Sequence, residues 1–197
     1  MRTLILALVT VSLLLLSGGC KSSGMVKATE AQAISPTADS AIVIFLRPSV
    51  VGGGVQSVVY DTTHEKSELV GIVSSGSKVA FKTTRGEHSF MVVSESADFM
   101  RATLDANKTY YALVTPRMGA FRARFSLRPV TSEDIEKGRL AGWERSCVLY
   151  ENAQGSRDWA VNNAASVEKR RAENYPRWLK KSAAKLEEVT LHASDGR

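Results

Sequence analysis

The sequence predicts a mainly β protein, an antiparallel β-sandwich of about seven or eight strands with a C-terminal α-helical extension. Three observations predict it. Residues 41–130 break into short apolar runs separated by turn residues, with no helix-length amphipathic stretch between them. The run AFRARFSLR (120–128) alternates apolar and polar residues at the two-residue period of a strand with one core face and one wet face. After Val130 a helix-start signal appears, and the chain turns to alanine and mixed charge.

The chain opens on Arg2, a predominantly apolar run of 13 residues over 4–16, and then Ser17-Gly18-Gly19-Cys20. A spanning helix needs about 20 apolar residues, so the run suits a cleavable secretory signal over 1–19. Residues 20–40 begin at Cys20, lack apolar periodicity and hold Ser, Thr, Ala, Gly and Pro, the composition of a flexible tether. Strands follow at 41–47, 55–61, 68–74, 78–83, 88–94, 99–105, 109–115 and 120–128. Ser75-Gly76 suits a tight hairpin, Arg85-Gly86 and Asn107-Lys108 mark further reversals, and Gly52-Gly53-Gly54 makes a loose connection. In the last strand Phe121, Ala123, Phe125 and Leu127 face the core, opposite Arg122, Arg124, Ser126 and Arg128.

Beyond the sandwich domain at 41–130, the extension at 131–197 starts with Thr131-Ser132-Glu133-Asp134, a good helix start that Gly138 and Gly142 keep short. One more strand is expected at 147–150, a turn at Gln154-Gly155-Ser156, and a helix at 158–174. Pro176 should interrupt it. A second helix over 177–188 would place Leu179, Ala183 and Leu186 on one packing side with Trp178 alongside.

Removing residues 1–19 takes away one arginine and leaves 178 residues with 25 basic and 20 acidic groups, a formal +5. With 44% apolar residues the chain can bury a real core. Only two cysteines occur, so if Cys20 is modified Cys147 has no partner; the apolar Val148, Leu149 and Tyr150 beside it favour burial over reactivity. No zinc pattern, disulfide framework or haem attachment sequence is present, and no cofactor or metal is expected.

Ser17-Gly18-Gly19-Cys20 resembles the lipobox of bacterial lipoproteins, although Ser17 stands where that pattern has an aliphatic residue. The resemblance implies that Cys20 becomes the first mature residue and carries a diacylglyceryl thioether and an acylated amine. Two or more acyl chains hold a protein stably on a bilayer. In a two-membrane bacterium Lys21, in place of the aspartate that often retains lipoproteins at the inner membrane, implies the outer membrane, facing the periplasm. The 41–130 block also resembles an uncharacterised family of bacterial lipoprotein β-sandwiches, known as a domain of unknown function. That resemblance rests on Phe45-Leu46-Arg47-Pro48-Ser49, Arg85-Gly86-Glu87-His88 and Asn107-Lys108-Thr109-Tyr110-Tyr111. Family members more often have Pro-Gly at the second motif and Gly in place of Asn107. These are turns and strand entrances, and the family implies a sandwich on a lipid anchor without catalytic residues to carry over.

His64 sits in a polar loop without the second histidine of a metalloprotease helix, His88 begins a strand, and His192 lies near the end; nothing in the sequence brings them together, and solvated histidines are the expectation. No Gly-x-Ser-x-Gly elbow occurs, and Gly52-Gly53-Gly54 lacks the lysine and helix of a phosphate loop. The basic residues say more. Arg122, Arg124 and Arg128 share one side of a strand at multiples of about 6.6 Å, and Lys169, Arg170 and Arg171, with Arg177, Lys180, Lys181 and Lys185, give the helices a basic character. Arginine forks suit phosphate and carboxylate groups. The plainer alternative is a solvated face, because Glu168, Glu173, Glu187 and Glu188 are interspersed. Trp143, Trp159 and Trp178 should anchor the helices, with an exposed aromatic hot spot as the alternative.

The sequence therefore predicts a non-enzymatic binding or structural module anchored in the cell envelope through Cys20. Its contact would be an envelope protein or an anionic envelope surface, with Arg122, Arg124, Arg128, Lys169, Arg170 and Arg171 as candidate contact residues. The alternative is an accessory subunit of a larger envelope transport or secretion assembly, and a hydrolase comes last. Nucleic acid is not an expected partner, since export removes the chain from it.

Overall fold

The computed structural model describes residues 24–29, 35–117 and 124–197. The expected signal, Cys20, Arg122 and the first half of the expected strand at 120–128 lie outside the described residues. The strands are β1 (Met25–Lys27), β2 (Ser40–Arg47), β3 (Ser57–Asp61), β4 (Glu68–Val73), β5 (Ser77–Thr84), β6 (Gly86–Val93), β7 (Ala97–Leu104), β8 (Thr109–Arg117), β9 (Arg124–Pro129), β10 (Val148–Asn152) and β11 (Thr190–Leu191). The helices are α1 (Ser132–Glu136), α2 (Arg139–Arg145), α3 (Gln154–Leu179) and α4 (Ala183–Glu187), followed by a 3-10 turn at Ala193–Asp195.

Two sheets face each other as a sandwich, one ordered β1-β10-β5-β2-β8-β9 and the other β11-β7-β6-β3-β4. Both are mixed, which corrects the expected antiparallel arrangement: β2 runs parallel to β8, β10 to β5 and β11 to β7. Gly76 at φ 70° and Asn107 at φ 60° sit at chain reversals, but the tight hairpin expected at Ser75-Gly76 is not formed: β4 and β5 belong to different sheets, as do β7 and β8, so both turns carry the chain across the sandwich. Alternation sorts the two faces of the central strands. Val43 and Phe45 of β2, with Tyr110, Ala112 and Val114 of β8, enter the core between the sheets, where Phe45 meets Phe90 edge-on at 5.1 Å. Leu46, Tyr111 and Leu113 point the other way, into a second cluster closed by Leu140 of α2 and by Cys147.

The C-terminal third is woven into the sandwich rather than appended to it, because β10 sits inside one sheet and β11 edges the other. The expected tether also supplies structure: β1 pairs antiparallel with β10, buries Met25 in the core, and accepts the Ser156 amide on the Gly24 carbonyl at 3.0 Å. Three residues are too short a run for periodicity to reveal.

Pro176 does not interrupt α3, which runs unbroken to Leu179. Proline removes one amide donor and crowds the carbonyl four residues back. Here that happens near the helix end, and packing outweighs it, since Tyr175 stacks on Trp178 at 5.9 Å and both rings meet Phe99 of β7. The chain instead breaks at Lys180, and the Ser182 hydroxyl then caps α4 by accepting the Lys185 amide. The expected continuous helix at 177–188 is thus two pieces with a turn between them. Among the described residues no helix is long and apolar enough to cross a membrane.

Candidate functional site

Helix geometry puts residues seven apart on one face, so Arg170 and Arg177 of α3 project to the same side, with Glu173 and Asn174 between them. That face meets the β8–β9 hairpin, whose register sets Arg117 directly across from Arg124. The start of β7 completes the arrangement with Asp98. Together they line an open cleft of about 400 Å³ between hairpin and helix, which Lys181, Trp178 and Glu95 also border.

Asp98 is buried and organises the cleft. Its carboxylate accepts Arg117 Nη2 on one oxygen and Lys181 Nζ, at 3.1 Å, on the other. Arg117 also donates through Nε to the Ser126 hydroxyl, and Arg170 donates to the Glu95 carbonyl. Arg124 and Arg177, both exposed, have no hydrogen-bond or ion-pair partner among the described residues. Trp178 is 3% exposed, and its buried Nε1–H has no acceptor. The cleft thus gathers five cationic side chains against the carboxylates of Glu95, Asp98 and Glu173. Like charges directly opposite on paired strands destabilise a sheet. The Arg117–Arg124 juxtaposition therefore costs the fold something, with Asp98 offsetting only the Arg117 half.

The expected basic residues separate into four situations. Arg124 and Arg170 join the cleft. Arg128 does not: it pairs with buried Asp134 at 3.1 Å and lies over the Trp143 ring at 5.2 Å, fastening α1 and α2 to β9. Arg171 is a structural clamp, donating to the carbonyls of Thr62, His64 and Glu65 at 2.8, 2.9 and 2.8 Å, so it holds the β3–β4 loop against α3. Lys169 stays exposed, its ammonium 4.0 Å from Glu173. Arg117 and Asp98 escaped the sequence reading; a symmetric β8–β9 hairpin, once drawn, would have placed Arg117 opposite Arg124.

The histidines also divide. His64 is exposed, and His192 pairs with Glu187 at 2.8 Å. His88, expected to be solvated, is buried: Nδ1 lies 3.1 Å from Asp61 Oδ2, and Nε2 lies 3.0 Å from the Thr84 carbonyl. Both neighbours can accept, so the protonated ring would satisfy both with its two N–H donors. Burial alone would lower its pKa, but the hydrogen bond and charge of Asp61 together hold it above the ordinary value. Burial likewise opposes ionisation of Asp61, and the bonds from His88 and Thr63 outweigh it, leaving that carboxyl below its usual range. Thr63 Oγ1 lies 3.2 Å from the same Nδ1. A nucleophile, base and acid set needs the nucleophile on one ring nitrogen and the carboxylate on the other. Here hydroxyl and carboxylate crowd one nitrogen while a carbonyl takes the other, so the cluster holds the loop and offers no base.

Cys147 is buried, as expected, and burial raises its thiol pKa, which suppresses the reactive thiolate. Of the tryptophans, Trp178 anchors α3, Trp143 packs on the second cluster, and Trp159 is 37% exposed beside Val55, Val58, Ile72 and Val93. Among the described residues no group of histidine, cysteine or carboxylate side chains could hold a metal ion. Comparison with protein families finds no matching family model, and comparison with curated proteins finds no match.

Proposed function

We propose that this protein is a cell-envelope lipoprotein, anchored through lipid on Cys20 at the periplasmic face of the outer membrane, whose sandwich acts as a non-enzymatic binding module. The cleft bordered by Arg117, Arg124, Arg170, Arg177 and Lys181 is the contact site, and its partner is an anionic component of the envelope. The observation that carries the reading is the pair of arginines, Arg124 and Arg177, without a partner among the described residues, in a cleft where other cations are already tied to Asp98 and the Glu95 carbonyl. Local rules are broken at functional sites more often than elsewhere. The leader and Cys20 support the anchor, and the resemblance of residues 41–130 to lipoprotein β-domains supports the same setting. Eight of the cleft side chains are charged, five cations and three carboxylates, a set suited to holding an anion.

Crosslinking in intact cells producing the full-length protein, with mass spectrometry of what is captured, tests this reading. Arg124→Glu with Arg177→Glu should abolish capture at unchanged protein level, while Arg157→Glu, the same type of charge reversal at one exposed position away from the cleft, should leave it intact. Capture indifferent to the cleft variant would refute the site. A second reading, the accessory subunit of an envelope assembly, is favoured by one observation: the exposed Trp159 borders a small pocket floored by the buried Val58, Ile72 and Val93, where an apolar side chain of a partner protein could seat. Capture of one defined protein that Trp159→Ala removes, and the cleft variant does not, would establish it.

A further inference from the structure

The charge of the cleft narrows what it can hold. Five cationic groups face three carboxylates, leaving an excess of two positive charges. A carboxylate or a phosphodiester brings one negative charge, whereas a phosphate monoester brings roughly 1.5 to 2 at neutral pH, with three strong acceptor oxygens. The donors match that count. Arg124 and Arg177 each present a planar fork with no partner among the described residues, the group that meets phosphate oxygens two at a time. Two such forks exceed what a single carboxylate needs.

The remaining cations are already positioned. Arg117 and Lys181 are held by opposite oxygens of Asp98, and Arg170 by the Glu95 carbonyl, so their field needs no reorganisation when an anion arrives. Trp178 closes the same wall with its ring, over which Lys181 Nζ lies at 5.6 Å. Glu95 and Glu173 at the border repel additional negative charge, which disfavours an extended polyanion such as nucleic acid and favours a compact terminal group.

We infer that the cleft is a phosphate-monoester site, in which Arg124 and Arg177 grip the phosphate oxygens inside a positive field fixed by Asp98. This deepens the binding-module reading and rests on it for the choice of site. The same chemistry can come from a lipid headgroup ending in phosphate or from a soluble sugar or polyol phosphate.

The test uses the full-length protein in non-ionic detergent, followed by tryptophan fluorescence and calorimetry. Glycerol 1-phosphate should saturate the protein at least tenfold more tightly than acetate or glycerophosphoglycerol, a diester. Arg124→Glu and Arg177→Glu should each weaken it tenfold or more, and Arg157→Glu less than twofold. Micelles carrying phosphatidic acid then separate the sources. Binding to them at least tenfold tighter than to glycerol 1-phosphate assigns a lipid-borne phosphate, and comparable binding assigns a soluble one, the monoester being supported either way. Equal affinity for acetate or for phosphatidylglycerol micelles, no saturation by either monoester, or indifference to both arginine variants overturns the inference. If the monoester fails while capture in cells still depends on Arg124 and Arg177, the phosphate assignment falls and the binding module stands. If the monoester binds while capture ignores the cleft, the site is real and its cellular role has been misread.

Discussion

Arg171 offers a sharp test of the assignment of basic residues, because sequence alone groups it with Lys169 and Arg170 as a contact residue while the structure makes it a clamp. Its guanidinium donates to three backbone carbonyls of the β3–β4 loop, and its side chain is 22% exposed. Truncation to alanine removes all three bonds, but not at equal cost. His64 and Glu65 are exposed, so water replaces the donor there and each loss amounts to a few tenths of a kcal/mol. The Thr62 carbonyl is part-buried, and losing a charged donor there costs about 1.5–3 kcal/mol. The total, about 2–3 kcal/mol, corresponds to a fall in Tm of roughly 5–10 °C for a chain of this size. Arg171→Lys should recover less than half of it, since a single ammonium lacks the planar fork that spans the three acceptors. Urea and thermal unfolding of the full-length protein in detergent measure this, with Lys169→Ala as the exposed comparison, expected within about 0.5 kcal/mol of wild type. An Arg171→Ala protein as stable as wild type would refute the clamp and return Arg171 to the pool of free cations.

The buried His88–Asp61 pair gives a pH signature. His88 has a pKa raised above its ordinary 6.5, so its contribution is complete below about pH 6.5 and is lost as pH rises through the raised value; Asp61, lowered from 3.8, contributes above about pH 3.8 and loses it as pH falls through the lowered value. Urea midpoints should therefore fall between pH 6 and 9 in the wild type and much less in His88→Gln, and equal slopes in the two proteins would discount the pair. Gly196→Ala should destabilise by about 1–3 kcal/mol through overpacking. The added Cβ would sit 2.5 Å from Cζ of Tyr110, a ring that is fully buried and held by hydrogen bonds of its hydroxyl to the Asp105 amide and the Ala193 carbonyl. Denaturation midpoints check it, and an unchanged midpoint would mean that the C-terminal segment does not dock on β8.

The sandwich was largely legible because its cues are local. Turn residues such as Ser75-Gly76 and Asn107-Lys108 end strands, and alternation from Phe125 to Arg128 separates core from solvent within one segment. What stayed illegible depends on partners distant in sequence. The parallel neighbours β2 and β8 are joined by no hairpin, and β1 is three residues whose strand character exists only against β10. Pro176 reads as a break, yet Phe99, some 77 positions earlier, supplies the ring packing that keeps α3 continuous. The cleft follows the same logic. Arg124 and Arg170 were visible as basic residues, but whether a cation is free or occupied is decided by Asp98, Asp134 or the loop carbonyls it meets, and composition carries none of that.

The most direct test of the cleft as the contact site is photo-crosslinking in intact cells from two positions of α3. One photoreactive residue replaces Glu173, which borders the cleft, and another replaces Val161, which is 76% exposed and lies away from it. Adducts from position 173, lost when Arg124→Glu and Arg177→Glu are added, are the expected result. Adducts from position 161 alone, or none from 173 at full expression, contradict the cleft as the surface through which this protein works.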